Sequence, residues 1–406
     1  MKKSLLATIM VCALNAGAQT NYVKVVDFLP APGQFVNSLP RYEEGYTQDS
    51  MNLAAEYNLN NESMISLGTY GGYVIMQFDH AVPNVGINGR GTDFLINGNG
   101  FYAAANPNSS APSWGGSIEP GIVYVGVGND YKTCKWYELA GSMYNKGVQI
   151  TDSFYCRPEI HDFEITYYYP EKETADSPEE HTQFASQLDN YIFWECNWTE
   201  DGVKKDSVGW HMKNIYHSQT YWPAWIKDYT LTFKGGKLPN NAIDESGKGR
   251  YWVQYRYGGD SYGYVDAAPN SVSSALNPDA NGTNPENTFD IDWAVDENGQ
   301  YVHLDSINFI KVVCGTFQYC GWLGETSTEI SKVEDLTLRP GYSMNPFIIE
   351  HSKGWSTEEA DGIHMATLPR DNSTTDNRTY DLQGREILHP QRGHIYIRNG
   401  KKFIAK

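Results

Sequence analysis

Gly259-Asp260-Ser261-Tyr262-Gly263 satisfies a G-x-S-x-G pattern, the arrangement that places a serine nucleophile on a sharp strand-to-helix turn. That chemistry needs a helix after the serine. Here Tyr264 to Ala268 soon meets Pro269-Asn270, so a glycine-rich loop between strands is the better reading of Ser261. His211 and His217 do not fall into an H-E-x-x-H or cysteine-paired zinc spacing, and neither do the other histidines. Asp279, Asn281, Asn284, Glu286, Asp290 and Asp292 gather oxygen ligands in one region. Calcium accepts such loose sets, and Asp290 and Asp292 are the expected ligands of a structural calcium; loop solvation explains the same residues, and the spacing is not that of an EF-hand. Glycoside hydrolysis needs two carboxyl groups about 5 to 9 Å apart. With 49 acidic residues, no pair stands out.

The more distinctive signal is aromatic. Trp194, Trp198, Trp210, Trp222 and Trp225 are five of the eleven tryptophans, and they share a short span with Tyr191, Tyr216, Tyr221 and Tyr229. Flat rings stack on sugars or on a macrocycle, while Asn214, His217 and Gln219 can orient a ligand by hydrogen bonds. Pro223 and the lack of two-residue alternation mark the part around Trp222 and Trp225 as loop. Trp210, Tyr216, His217, Trp222 and Trp225 are therefore expected to form a partly exposed ligand face. The competing reading is that these rings fill a large core.

The elements that must position such a face are short strands. Phe289 to Val295 alternates large apolar residues with Asp290, Asp292 and Ala294, Asp296 to Gly299 supplies a reversal, and Tyr301 to Leu304 and Ile307 to Val313 follow, so a meander is expected. Tyr22 to Val26, Met64 to Leu67, Gly72 to Phe78, Asp93 to Ile96, Ile122 to Val127, Trp136 to Leu139, Phe163 to Tyr169 and Tyr191 to Trp198 read as further strands, with Gly, Asn and Pro between them. The fold class is all-β: a jelly-roll-like β-sandwich, one large or two associated, followed by a small C-terminal β module. A propeller is disfavoured because no repeat recurs. Residues 1–18 read as a signal peptide, 19–350 as the ligand-binding sandwich, 351–377 as a polar linker and 378–406 as the module.

Lys2 and Lys3 before the apolar run Leu5 to Leu14, then Ala16-Gly17-Ala18, have the form of an export signal, and no later stretch is long and apolar enough to span a membrane. The formal charge of −18 disfavours unaided binding to nucleic acid or to an anionic surface. Past the signal, Cys134, Cys156, Cys196, Cys314 and Cys320 are an odd number for an oxidising compartment. Cys314 and Cys320, separated by a short loop containing Gly315, are the first expected disulfide, against two unpaired buried thiols.

Two parts of the chain carry a resemblance. Ile65-Ser66-Leu67-Gly68, Gly71-Gly72-Tyr73-Val74, Phe78-Asp79, Asp93-Phe94, Gly98-Asn99-Gly100-Phe101, Glu119-Pro120-Gly121 and Trp136 to Gly141, with Phe289 to Ile330, resemble a family of uncharacterised bacterial cell-surface proteins. Thr133-Cys134-Lys135 departs from the acidic turn usual in that family. The resemblance implies a jelly-roll sandwich and, through some relatives, an association with outer-membrane uptake of vitamin B12 or glycans. Tyr380 to Ile387 and His394 to Ile397 resemble a C-terminal sorting module of type IX secretion. The expected function is an exported, cell-surface or outer-membrane-associated protein that binds a small-molecule or glycan ligand, with an outer-membrane transporter as the implied partner. The alternatives are a glycan-degrading enzyme and a structural or adhesive surface protein.

Overall fold

The structure, a computed structural model, describes residues 19–85, 91–102, 115–170, 191–212, 220–259, 261–270, 284–339, 395–398 and 401–404. Its centre is a seven-stranded antiparallel sheet in the order Lys24–Leu29, Tyr73–Gln77, Phe309–Cys314, Gly121–Val127, Lys135–Leu139 and Ala294–Val295, with Tyr264–Val265 also paired to Gly121–Val127. Alternation along these strands divides their side chains between two cores. Val74, Met76, Val123, Val125, Ile310 and Val312 join one core with Phe94, Ile96, Phe289 and Trp293. On the opposite face, Ile122 packs with Val253, Tyr255 and Leu238, and Tyr73 packs with Phe163, Tyr167 and Phe233.

That second face is covered by a four-stranded sheet, Val203–Met212, Tyr191–Glu200, Ile160–Tyr168 and Thr230–Lys237. Tyr70 joins the two layers, its ring edge-on to Phe163 at 4.9 Å and its hydroxyl donating to the Phe163 and Gly235 carbonyls. The molecule is thus all-β and sandwich-like. It contains no closed barrel among the described residues, and no helix there is long and apolar enough to cross a membrane.

One helix, Gln48–Asn60, lies where the sequence reads only as polar and irregular. Thr47 caps it by accepting the Ser50 amide, and Met51, Ala55 and Leu59 bury a single stripe in the first core. The expected meander is corrected as well. Asp290 accepts the Asp292 amide and nucleates a 3-10 turn, Ile291–Trp293, that interrupts the strand. The Asp296–Gly299 reversal forms as expected, with Val295 bridged to Tyr301 and Val302 donating its amide to the Ala294 carbonyl, but the third run does not continue beside them: Ala294–Val295 pairs with Lys135–Leu139 at one edge, while Phe309–Cys314 lies mid-sheet.

The chain divides into two compact units, Met1–Ala360 and Asp361–Lys406. In the second, Ile395–Arg398 and Lys401–Ile404 form an antiparallel hairpin. The expected signal peptide, the stretch 351–377 and the expected strand Tyr380 to Ile387 lie outside the described residues.

Candidate functional site

Two residues of the expected aromatic face are core residues. Trp222 is 1% exposed and Trp225 6%. Their segment is a loop, as its proline suggests, but it is tucked inward. Trp225 lies between Phe28 and Tyr42, with ring centroids at 6.1 and 6.3 Å, and donates its indole N–H to Gln48 Oε1 at 2.9 Å. Trp222 packs edge-on to Tyr169 at 5.5 Å. The reason is area: each indole hides so much apolar surface, at about 25 cal/mol per Å² buried, that a loop carrying two is drawn into the core. Trp210 is half-buried against Phe193, with centroids 5.0 Å apart. Tyr216 and His217 lie outside the described residues.

The expected disulfide is also corrected. Cys314 and Cys320 are both free and buried. Cys314 ends a central strand with its thiol directed to the Thr316 and Thr326 carbonyls at 3.8 and 4.0 Å, while Cys320 precedes the 3-10 turn Gly321–Leu323. Burial pushes the Cys314 thiol up to about 12. Of the expected calcium ligands, Asp290 is buried beside Asp93, and burial and the neighbouring carboxylate hold its pKa well up. Its two oxygens accept the Asp292 and Gly91 amides, and Asp292 accepts Asn84 Nδ2 at 2.6 Å. Asp290 thus serves the local turn, while Asp292 ties it to Asn84 in a distant segment.

The structure instead gathers carboxyl groups from distant segments. One oxygen each of Glu119, Asp266 and Glu329 lies within 4.8 Å of the others. Glu119 ends the approach to the central strand Gly121–Val127, Asp266 follows Tyr264–Val265, and Glu329 opens the short strand Glu329–Ile330. Asp266 has φ +58°, a left-handed conformation that a residue other than glycine keeps only when its surroundings hold it. Three amides do so here: Asn99 and Gly100 each donate to Oδ1 at 2.7 Å, and Glu329 donates to Oδ2 at 3.1 Å. Gly98 makes room for this grip, because a Cβ there would lie 2.2 Å from Asp266 Oδ1.

The other two acids are tied in equally. Glu119 Oε1 accepts Gln254 Nε2 and the Ser327 amide, each at 3.0 Å, and Oε2 accepts the Ser117 hydroxyl at 3.4 Å. Glu329 accepts the Ser327 hydroxyl at 2.8 Å and Asn99 Nδ2 at 3.1 Å. Burial, with the crowded negative charge of the neighbouring acids, pushes Asp266 up to about 8 and Glu329 well above the ordinary range, and burial takes Glu119 to about 6. The cluster therefore retains protons near neutral pH and presents O–H donors as well as acceptors. Three carboxyl groups so close have the geometry to hold a hard cation. Every one of their oxygens, however, already accepts a protein donor.

Glu119 and Glu329, but not Asp266, line a cavity of about 490 Å³ whose lining also includes the polar Gln34, Asn99, Gln254 and Glu325 and the apolar Phe35, Leu39, Met64 and Leu323. Asn99 Oδ1 and Gln34 Oε1 are buried there without a hydrogen-bond partner among the described residues. Glu325 Oε1 accepts the Gln34 amide at 2.5 Å, and burial pushes its carboxyl up to about 8. Ser261, the serine of the G-x-S-x-G pattern, is buried, and a strand follows it where an elbow needs a helix.

Asn99 and Glu119 stand in motifs that the sequence singles out, whereas Gln34, Asp266, Glu325 and Glu329 carry no local signal of a site. Comparison with protein-family models and with curated protein sequences gives no match.

Proposed function

We propose that this is an exported cell-surface protein that captures a neutral, hydrogen-bond-rich nutrient, a glycan or a corrinoid, for outer-membrane uptake, and that the cavity lined by Glu119 and Glu329 is where it binds. The observation that carries this reading is the pair of buried acceptors without a partner among the described residues, Asn99 Oδ1 and Gln34 Oε1, on two residues that line one cavity together with apolar side chains. An unpaired buried acceptor costs about 1 to 3 kcal/mol, which a ligand O–H or N–H relieves. Sugar hydroxyls and the peripheral amides of a corrinoid both offer such donors beside an apolar ring face. Binding is favoured over catalysis because the three clustered acids are already committed to protein donors. One observation favours a glycan-degrading enzyme instead: Glu325 lines the same cavity with its pKa raised to about 8, a condition suited to a general acid.

Titration calorimetry of the full chain with an oligosaccharide panel and with cyanocobalamin tests the reading. One of the two classes should bind, and Asn99→Ala and Gln34→Ala should each weaken binding roughly three- to tenfold. Absence of binding by both classes, or unchanged affinity in both folded variants, would sink it. Hydrolysis of an oligosaccharide that is lost in Glu325→Gln would replace capture with catalysis.

A further inference from the structure

A second group of titratable side chains gathers elsewhere and adjoins a different cavity. Glu138 sits in the strand Lys135–Leu139, Glu159 just before the strand Ile160–Tyr168, and His161 within that strand. One ligand atom from each lies within 4.8 Å of the other two. Glu159 and His161 also line an open cavity of about 650 Å³, together with Arg157, Asp162, Lys237 and Asn240.

Two features distinguish this group from a chance cluster of acids. Glu159 is buried to 6% exposure, and among the described residues neither of its carboxylate oxygens, nor Glu138 Oε1, accepts an N–H or hydroxyl donor; the two carboxyl groups lie against each other. The second feature is the orientation of the imidazole. His161 Nε2 lies 3.1 Å from the Tyr144 carbonyl oxygen, which can only accept, so Nε2 carries the proton and Nδ1 faces Glu159 Oε1 at 3.7 Å. Metal-ligating histidines are commonly held in this way, with one ring nitrogen on a backbone carbonyl and the other turned to the ion. Ligand atoms at the usual zinc distances stand about 3.4 Å apart around a tetrahedral ion, close to the separation of Nδ1 and Oε1 here.

The surrounding chain preserves the space. A Cβ on Gly236 would crowd Glu159 Oε1 and Ile122 Cδ1, so any other residue there would require the carboxylate to move. Gly236 also donates its amide to the Tyr124 hydroxyl at 3.2 Å, and Tyr124 is hydrogen-bonded to Glu138.

We propose that Glu138, Glu159 and His161 bind a divalent cation of the zinc class, with the remaining coordination position open to the cavity. One nitrogen and two carboxylate ligands suit Zn²⁺ better than Ca²⁺, which prefers oxygen alone.

The test is titration calorimetry of the full chain, freed of metal with chelator and dialysed, using ZnCl2 and, in parallel, CaCl2. Zn²⁺ should bind one to one and in preference to Ca²⁺, and Co²⁺ should give the visible absorption of a tetrahedral site. Glu159→Gln and His161→Ala should each weaken Zn²⁺ binding about tenfold or more. Glu159→Gln keeps the shape of the protonated acid, so its melt in chelator shows whether the fold is intact. Absence of Zn²⁺ binding, a preference for Ca²⁺, or unchanged Zn²⁺ affinity in both folded variants would overturn the proposal.

Discussion

Buried carboxyl groups dominate the chemistry at the scale of single residues. Burial pushes Asp266, Glu325 and Glu159 each up to about 8, far from the ordinary values of 3.8 for Asp and 4.5 for Glu. The folded chain therefore keeps protons that the unfolded chain releases near those ordinary values. Stability from these groups is fully present below the ordinary carboxylate range and is lost as pH rises through about 8. Melting temperature in the presence of chelator should fall between about pH 5 and about pH 9, and Glu159→Gln should reduce the slope. A melting temperature that climbs over that interval would contradict this account. None of these pKa values is visible in the sequence, where 49 acidic residues look alike. Asn99 and Glu119 could be singled out from their motifs, but Asp266 and Glu329 become partners only because the turn after Tyr264–Val265 meets the strand Glu329–Ile330.

Among the elements, most strands are legible and two segments are not. Alternation in Gly121–Val127 and Phe309–Cys314 survives folding because each strand separates two cores, so the period of two is written in its residues. The helix Gln48–Asn60 buries only Met51, Ala55 and Leu59, too thin a stripe to stand out from its polar surroundings. The loop holding Trp222 and Trp225 misleads in the opposite direction, since turn residues signal irregular backbone and say nothing about depth. Trp225 fastens that loop to the helix through Gln48. Trp222→Ala or Trp225→Ala should accordingly cost about 3 to 5 kcal/mol in denaturant unfolding. Loss of ligand affinity without loss of stability in either variant would return these rings to a binding face.

At the scale of the whole molecule, the division between Met1–Ala360 and Asp361–Lys406 has a direct consequence. Each unit makes its contacts chiefly within itself, so a chain ending at Ala360 should keep the melting temperature of the sandwich within about 2 °C, as expected when few contacts cross a boundary. Global unfolding of the shortened chain would show that the two parts fold together.

That the protein is built from short antiparallel strands is legible in its residues, because two-residue alternation and turn residues are local properties of the chain. Tertiary structure alone decided which strands lie side by side, which tryptophans are hidden, that Cys314 and Cys320 stay apart as thiols, and which acids converge. Those outcomes depend on contacts between residues far apart in the chain. Glu119, Asp266 and Glu329 are neighbours because strand pairing brings them together, and burial then gives them a proton affinity that no isolated carboxyl group has.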